Sequence, residues 1–190
     1  MPRPDMFFRR TKKTPDAPSA QPAEDDAPVY GNMRAAVEHH EAATHPDGKF
    51  LVDYHNRMMA EQGGIRRTDL PCRALSPIMP NLFMMAPVTP AAEDWEIRIV
   101  GQEIITRLGI DATGHRISEF LTPDQTAHHA TIYRDVAAGR RLSITTGRIE
   151  GLDRDYVTVE FVHVPLLGPD GQSKWLMGGV FFGDLIRTII

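Results

Sequence analysis

The sequence predicts a small α+β domain in which antiparallel strands are combined with short helices. Two observations lead to this prediction. In the last third of the chain, apolar and polar residues alternate over three segments joined by short, glycine-containing connections, as in neighbouring antiparallel strands. Ahead of them lies a helix with capping residues at both of its ends. The 190 residues suffice for one domain and a tail.

Composition narrows the class of protein. The formal net charge is −4, so the chain offers no basic field that would favour nucleic acid. No apolar run approaches the roughly 20 residues that a membrane-spanning helix needs, and no apolar stretch follows the basic N-terminal residues as in a secretory signal. Cys72 is the single cysteine, which excludes an internal disulfide. We therefore expect a cytoplasmic protein without nucleic-acid binding or stable membrane insertion.

The chain is predicted to begin with a disordered tail over residues 1–29. Proline, alanine and acidic residues dominate much of this segment, and no hydrophobic periodicity is present. Aromatic and basic residues are mixed within 6–13. This cluster is either a docking peptide for a membrane surface or a partner, or a solvated part of the tail.

Two helices are predicted in residues 30–64. The first spans Met33–Thr44 with Asn32 as its N-cap, and the second begins after Asp47 as its cap and ends at Gly63. Each carries a narrow apolar stripe, which is typical of helices that lie on a sheet or against a partner helix. We expect this region to be a dimer interface or a cap. The second stripe supplies three candidate interface residues, Leu51, Tyr54 and Met58.

Residues 65–187 are predicted to form the sheet domain. The expected strands are Leu82–Val88, Trp95–Val100 and three long ones near 142–146, 157–161 and 175–182. A short helix is expected at Gln102–Leu108, and another turn near Ile117–Leu121. A longer helix follows Thr122, where Pro123 and Gln125 complete a capping box. The second strand is expected to bury one face, made of Trp95, Ile97 and Ile99.

Four short motifs occur in a fixed order along the chain. They are Pro71–Arg73 followed by Pro77, the strand and turn Trp95–Gly101, the turn Gly109–Gly114, and Val164–Leu166 with the turn at Asp170 and Gly171. In this order they resemble a stand-alone bacterial family of the PAS domain superfamily that has no linked effector domain. The resemblance covers about Phe50 to Leu185. It implies a five-stranded antiparallel sheet with short helices on one face.

The resemblance also implies a function in signal transduction. PAS domains sense small ligands, bind cofactors, or dimerise and pass conformational signals to effectors. Because no effector domain is expected after Leu185, the output would pass through a partner such as a histidine kinase or response regulator. Dimerisation and docking on a signalling partner is therefore the main expectation. A sensor that holds a small molecule or haem in the PAS cavity is the alternative.

Four residues are candidates for the lining of such a cavity. His129, Ile132 and Tyr133 share one face of the longer helix, and His163 is in phase with inward-facing residues of its strand. The two histidines either contact a ligand or a haem iron, or are core histidines satisfied by a carbonyl or hydroxyl group. No metal site is predicted, because no cysteine or carboxylate spacing completes a tetrahedral set around the other histidines.

Five residues are assigned to turns and local structure, namely Arg98, Gly101, Gly109, Asp111 and Gly114. Arg98 either pairs with an acidic residue of the neighbouring strand, meets an anionic ligand, or fixes the turn that follows it.

The last strand is apolar on both faces, which adds three candidate interface residues, Leu176, Val180 and Phe182. One face is expected to contact the helices of the domain, and the other to be covered by the N-terminal helices, a second subunit, or both. Signatures of common enzyme classes are missing from the sequence. We therefore expect a protein without catalytic residues, and Cys72 is not assigned a catalytic function.

Overall fold

The computed structural model describes residues 38–148 and 158–183. In these residues the strands form one antiparallel sheet in the order β1-β4-β5-β6-β2-β3. The strands are β1 (Glu38–His39), β2 (Leu82–Pro87), β3 (Trp95–Val100), β4 (Ser143–Arg148), β5 (Thr158–Leu167) and β6 (Lys174–Phe182); the helices are α1 (Pro46–Gln62), α2 (Gln102–Leu108) and α3 (Pro123–Ala137). The predicted α+β class is confirmed. The two-residue strand β1 extends the expected five-stranded sheet.

The ends of α3 follow from its sequence. The Thr122 hydroxyl accepts a hydrogen bond from the Gln125 N–H at 3.4 Å, and the Gln125 side chain accepts one from the Thr122 N–H at 2.9 Å. This reciprocal capping box satisfies two donors that a helix start leaves free. Gly139 follows with φ of 70°, which only glycine adopts at little cost. None of the described helices is long and apolar enough to cross a membrane.

Both faces of the sheet are covered by helices. The face under α1, here called the α1 face, carries Val162, Val164 and Met177. The opposite face, here called the α3 face, carries Leu176 under α3 and Val180 under α2. Burial of these side chains is the main source of stability. The helices of the domain therefore lie on one face, as expected, while α1 covers the other.

The N-terminal part departs from the prediction. Residues 38–44 do not form a helix: Glu38–His39 is strand β1, and the His40 N–H donates to the Ile144 carbonyl at 2.9 Å. The backbone groups of this segment form hydrogen bonds with the sheet instead of within a helix, whose narrow apolar stripe would have stabilised it only weakly. The predicted residues 33–37 of that helix, like the tail 1–29 and the turn at 151–155, lie outside the described residues.

The start of α1 also differs from the prediction. Its N-cap is His45, whose Nδ1 accepts from the Asp47 N–H at 3.1 Å, so the assignment of the cap to Asp47 was wrong. Pro46 takes the first helical position, which suits its fixed φ and missing donor. The predicted end is correct, since Gly63 has φ of 77° and closes the helix.

A β-bulge changes the face to which the end of β3 points. Met85 pairs with Ile97, whereas Met84 pairs with Ile99, so Arg98 is the extra residue. Ile97 therefore packs on the α3 face, while Ile99 turns to the other side and is 36% exposed. The prediction of one buried face for Trp95, Ile97 and Ile99 is wrong for Ile99. A bulge inverts the alternation after it, and a single strand's sequence does not show one.

Candidate functional site

Three of the four predicted cavity residues lie together between α3 and the sheet. The Tyr133 ring centroid lies 5.6 Å from that of His129, one helical turn away, and 5.2 Å from that of His163 on β5. We call these three residues the His–Tyr cluster. The fourth residue, Ile132, is buried in the adjoining core beside Trp95.

Burial sets the charge of the His–Tyr cluster. His163 is 7% exposed, and burial together with the nearby His129 lowers its pKa to about 4. Burial, with a contribution from the neighbouring His128, also lowers the pKa of His129, and burial raises the pKa of the Tyr133 phenol. The cluster is therefore uncharged at neutral pH, since burial disfavours the charged form of each group. Such groups recognise a ligand by hydrogen bonds rather than by charge.

The surroundings of His163 are filled by rings. The Phe83 ring packs edge-on against it, with centroids 5.6 Å apart, and the Tyr133 ring covers another side. The haem hypothesis gains no support from this packing, because a porphyrin needs the space that these rings occupy. No group of three or more histidine, cysteine or acidic side chains in residues 38–148 and 158–183 is arranged to hold a metal ion.

Arg98 has contacts that the sequence did not reveal. Its Nη1 lies 2.6 Å from Oε1 of Glu96, two residues earlier on the same strand, and its guanidinium lies 5.8 Å from the Trp175 ring centroid. The predicted acidic partner on a neighbouring strand is therefore wrong. Residues two positions apart on a strand lie on the same side, so the two charged side chains interact along β3.

The four other turn residues hold the backbone near β3. Gly101 passes so close to the Pro80 and Leu82 carbonyl oxygens that a Cβ atom would overlap them. Gly109 and Gly114 have φ of 77° and 84°. The Asp111 carboxylate accepts from the Thr113 N–H at 3.0 Å, and its hydrogen bonds to Thr113 lower its pKa.

The predicted interface residues lie mostly inside the chain. Leu51 and Leu176 are fully buried, and Tyr54 and Val180 are 6% and 4% exposed. These four residues hold α1, α2 and α3 to the sheet within one molecule, because each face of β6 has a helix on it. Of the coverings expected for β6, the structure shows the one made by the chain's own helices. Met58 and Phe182 are half-buried.

An apolar groove at the edge of the sheet was missed by sequence reasoning. It has a volume of about 610 Å³ and lies between residues 71–82 and the end of β3. We call it the edge groove. Ile99 enters it because of the bulge, and Arg73 is the one charged residue in its lining. Its apolar lining includes Cys72, Met79, Leu82, Met84 and Ile99. Alternation in β3 had placed Ile99 in the core, which concealed the groove.

A buried carboxylate was also missed. Glu160 is 3% exposed and accepts hydrogen bonds from the Thr44 N–H at 2.6 Å, the Thr44 hydroxyl at 2.7 Å and the His45 N–H at 3.2 Å. It therefore joins β5 to the start of α1, where a carboxylate is favoured by the helix dipole.

The match to a protein family agrees with this fold. A family model described as a PAS domain matches residues 43–181, which include all three helices and nearly all of β2 to β6. A solved structure of a sensory box histidine kinase/response regulator from Burkholderia thailandensis E264 is similar, with 14% identity and a TM-score of 0.32, over 57% of this chain and 80% of that chain. No curated protein matches the chain.

Proposed function

This chain belongs to the PAS domain family, as its motifs predicted, and on this premise we propose that it is a regulator that docks on a signalling protein. Membership of the family points to a function in signalling. The finer proposal is a non-catalytic adaptor in the cytoplasm whose partner is a histidine kinase or response regulator. The sheet face that a second copy could have covered is covered by α1, so we place the docking surface elsewhere.

The edge groove is the observation that supports docking. Its lining is mostly apolar and open at the edge of the sheet, and Ile99 exposes 36% of its surface there. Interfaces obtain most of their affinity from a few apolar or aromatic anchors that fill such concave sites. Arg73 at the groove favours a partner segment with an acidic residue beside its apolar anchor.

Replacement of Ile99 tests this proposal. We expect Ile99→Glu to remove the partner, because the variant loses the apolar anchor and must desolvate a carboxylate in the contact. Phe50→Glu is the matched control, since Phe50 lies on α1 outside the groove and is 39% exposed. Tagged wild-type and variant chains are expressed in the native host, and co-purified proteins are quantified by mass spectrometry.

The expected result is a kinase or receiver protein that copurifies with the wild-type chain and with Phe50→Glu, and not with Ile99→Glu. Equal recovery with all three chains, or equal loss with both variants, would exclude the groove as the docking surface. Circular dichroism of both variants checks that the fold is retained.

Ligand sensing at the His–Tyr cluster is the second candidate function. It is favoured by one observation: Nδ1 of buried His163 has no hydrogen-bond partner among the described residues. A small molecule with a polar group would satisfy this atom. Native mass spectrometry of protein purified from its own host should then show a bound mass that His163→Phe removes. A clean apo mass in the wild-type protein would contradict this second function.

A further inference from the structure

A separate cavity of about 550 Å³ lies at the other end of the β2–β3 pair. It is bordered by the loop between β2 and β3, the last turns of α3 and the turn between β5 and β6, and is open on one side. We call it the hairpin cavity. It does not include any residue of the edge groove or of the His–Tyr cluster. Its volume lies within the usual range for sites that bind small molecules.

The charge of the hairpin cavity is one-sided. Arg134 and Lys174 line it, and no acidic residue does. Neither of these two cations forms an ion pair with any residue in 38–148 or 158–183. The Arg134 side chain is held across the rim, since it donates to the Ala91 carbonyl at 3.4 Å and to the Thr131 hydroxyl at 3.0 Å.

The carboxylates closest in sequence to Arg134 and Lys174 form hydrogen bonds or ion pairs with other residues. Asp170 in the β5–β6 turn accepts from the Gln172 N–H, the Ser173 N–H and the Ser173 hydroxyl at 2.9, 2.7 and 2.8 Å. Asp135, next to Arg134, pairs with Arg140 at 2.9 Å. The positive charge of the two lining cations is therefore left for a bound anion.

The inner wall of the cavity is apolar. Trp95, Ala92 and Pro87 contribute to it, and Trp95 is 1% exposed. The polar Gln172 and Ser173 lie on the same side as Lys174. A ligand that matches this lining has an apolar body and an acidic group at one end.

We propose that the hairpin cavity binds a small organic anion. The apolar body of the ligand packs against Trp95 and Ala92, and its carboxylate or phosphate oxygens accept hydrogen bonds from Arg134 and Lys174. This site is independent of the docking function, because it uses none of the residues of the edge groove. Carboxylate and phosphate oxygens present the same chemistry to the two cations, and the experiment below separates them.

The fluorescence of Trp95 reports on this site. The chain contains two tryptophans, so Trp175→Phe leaves Trp95 as the single indole fluorophore. In this background, phthalate and phenyl phosphate are titrated as anionic probes, and benzamide serves as a neutral probe of similar shape. We expect saturable changes in Trp95 emission with at least one anion and none with benzamide, and weaker binding as salt is added.

Two charge variants and one control decide whether the cations bind the probe. Lys174→Gln and Arg134→Gln should each weaken binding about tenfold, as expected for the loss of one charge-assisted hydrogen bond. Arg73→Gln, which removes a cation at the edge groove, should bind as the wild-type protein does. Circular dichroism of each variant verifies the fold.

The relative affinities of the two anions assign the natural acidic group to the carboxylate or the phosphate class. The proposal is wrong if neither anion gives a saturable change, or if benzamide binds as well as the anions. It is also wrong if Lys174→Gln and Arg134→Gln bind unchanged, or if Arg73→Gln loses as much affinity as they do.

Discussion

Burial decides the ionisation of His163, and this has a measurable consequence. Its pKa is about 4 in the folded protein, against the usual 6.5 when unfolded. The unfolded chain therefore takes up the proton first as pH falls. The stability that His163 contributes is complete above about pH 6.5 and is lost as pH drops towards 4, by roughly 3 kcal/mol at most.

We therefore predict that His163→Gln flattens the pH dependence of unfolding between pH 7 and pH 4. Urea denaturation at several pH values measures it, and His39→Gln is the control, because His39 lies exposed on β1. His55 and His129 also have lowered pKa values from burial and remain in both variants. If the free energy of unfolding depends on pH in the same way for the wild type and for His163→Gln, the lowered pKa of His163 is contradicted.

Two glycines in turns should respond differently to an added methyl group. Gly101 has an ordinary φ of −71°, but its Cβ position overlaps the Pro80 and Leu82 carbonyl oxygens. Gly109 has φ of 77°, and no atom lies near its Cβ position. We predict that Gly101→Ala costs roughly 3 kcal/mol of unfolding free energy, and Gly109→Ala about 1 kcal/mol. Chemical denaturation measures both, and equal costs would show that the backbone moves aside at Gly101.

Single residues also show where sequence reasoning succeeds. The convergence of His129, Tyr133 and His163 follows from regular periods of 3.6 and 2, because both elements are undistorted there. Ile99 was assigned to the wrong face, because a bulge inverts the alternation of β3 before it. The burial of Glu160 was not predicted, because it depends on hydrogen bonds from a segment more than 100 residues away in sequence. Contacts of that separation leave no local pattern.

Helix α1 is fixed to the sheet by Glu160 as well as by its apolar face. The carboxylate receives donors from Thr44 and His45, and the His45 ring stacks on Phe181 with centroids 5.4 Å apart. We predict that Glu160→Gln lowers the free energy of unfolding by about 2 kcal/mol, because an amide nitrogen then faces N–H donors. Hydrogen exchange should become faster in residues 40–48.

Glu119→Gln is the control for that experiment, since Glu119 forms an exposed pair with His115 at 2.8 Å. Exposed ion pairs contribute little to stability, so this variant should stay close to wild type. An unchanged exchange rate in residues 40–48 of Glu160→Gln would mean that the apolar contacts alone hold α1.

Capping residues made helices the most predictable elements. The bounds of α2 and the start of α3 were correct because glycine and a capping box mark them locally. The first predicted helix failed because residues 38–45 satisfy their backbone groups on β4 and Glu160 instead. In a segment with so few apolar residues, periodicity alone did not distinguish a helix from an extended chain that is hydrogen-bonded to the sheet.

At the scale of the described residues, 38–148 and 158–183, the sheet is covered by helices on both faces, and α1 covers one of them. Without residues 1–64, the α1 face with Val162, Val164 and Met177 becomes exposed. We predict that such a shortened chain has a lower urea midpoint. It should also associate as its concentration rises, because association buries the exposed apolar patch. Light scattering measures this. A monomeric shortened chain as stable as the full one would contradict the role of α1 as a cover.

The overall architecture could be predicted because strand order, capped helices and motif spacing all indicated one fold. The surface that remains free could not be predicted from the sequence. It depends on how α1 and the bulge in β3 divide the apolar residues between core and surface. The edge groove became visible only in the assembled molecule, where Ile99 lies beside Met84.

Hydrogen exchange with and without the copurified partner tests the docking account most directly. If the edge groove is the docking surface, exchange should slow in residues 71–84 and 97–102 when the partner is added, while the outer face of α1 around Phe50 stays unchanged. Slower exchange confined to α1 or to the α3 helix, with residues 71–84 and 97–102 unaffected, would contradict the account.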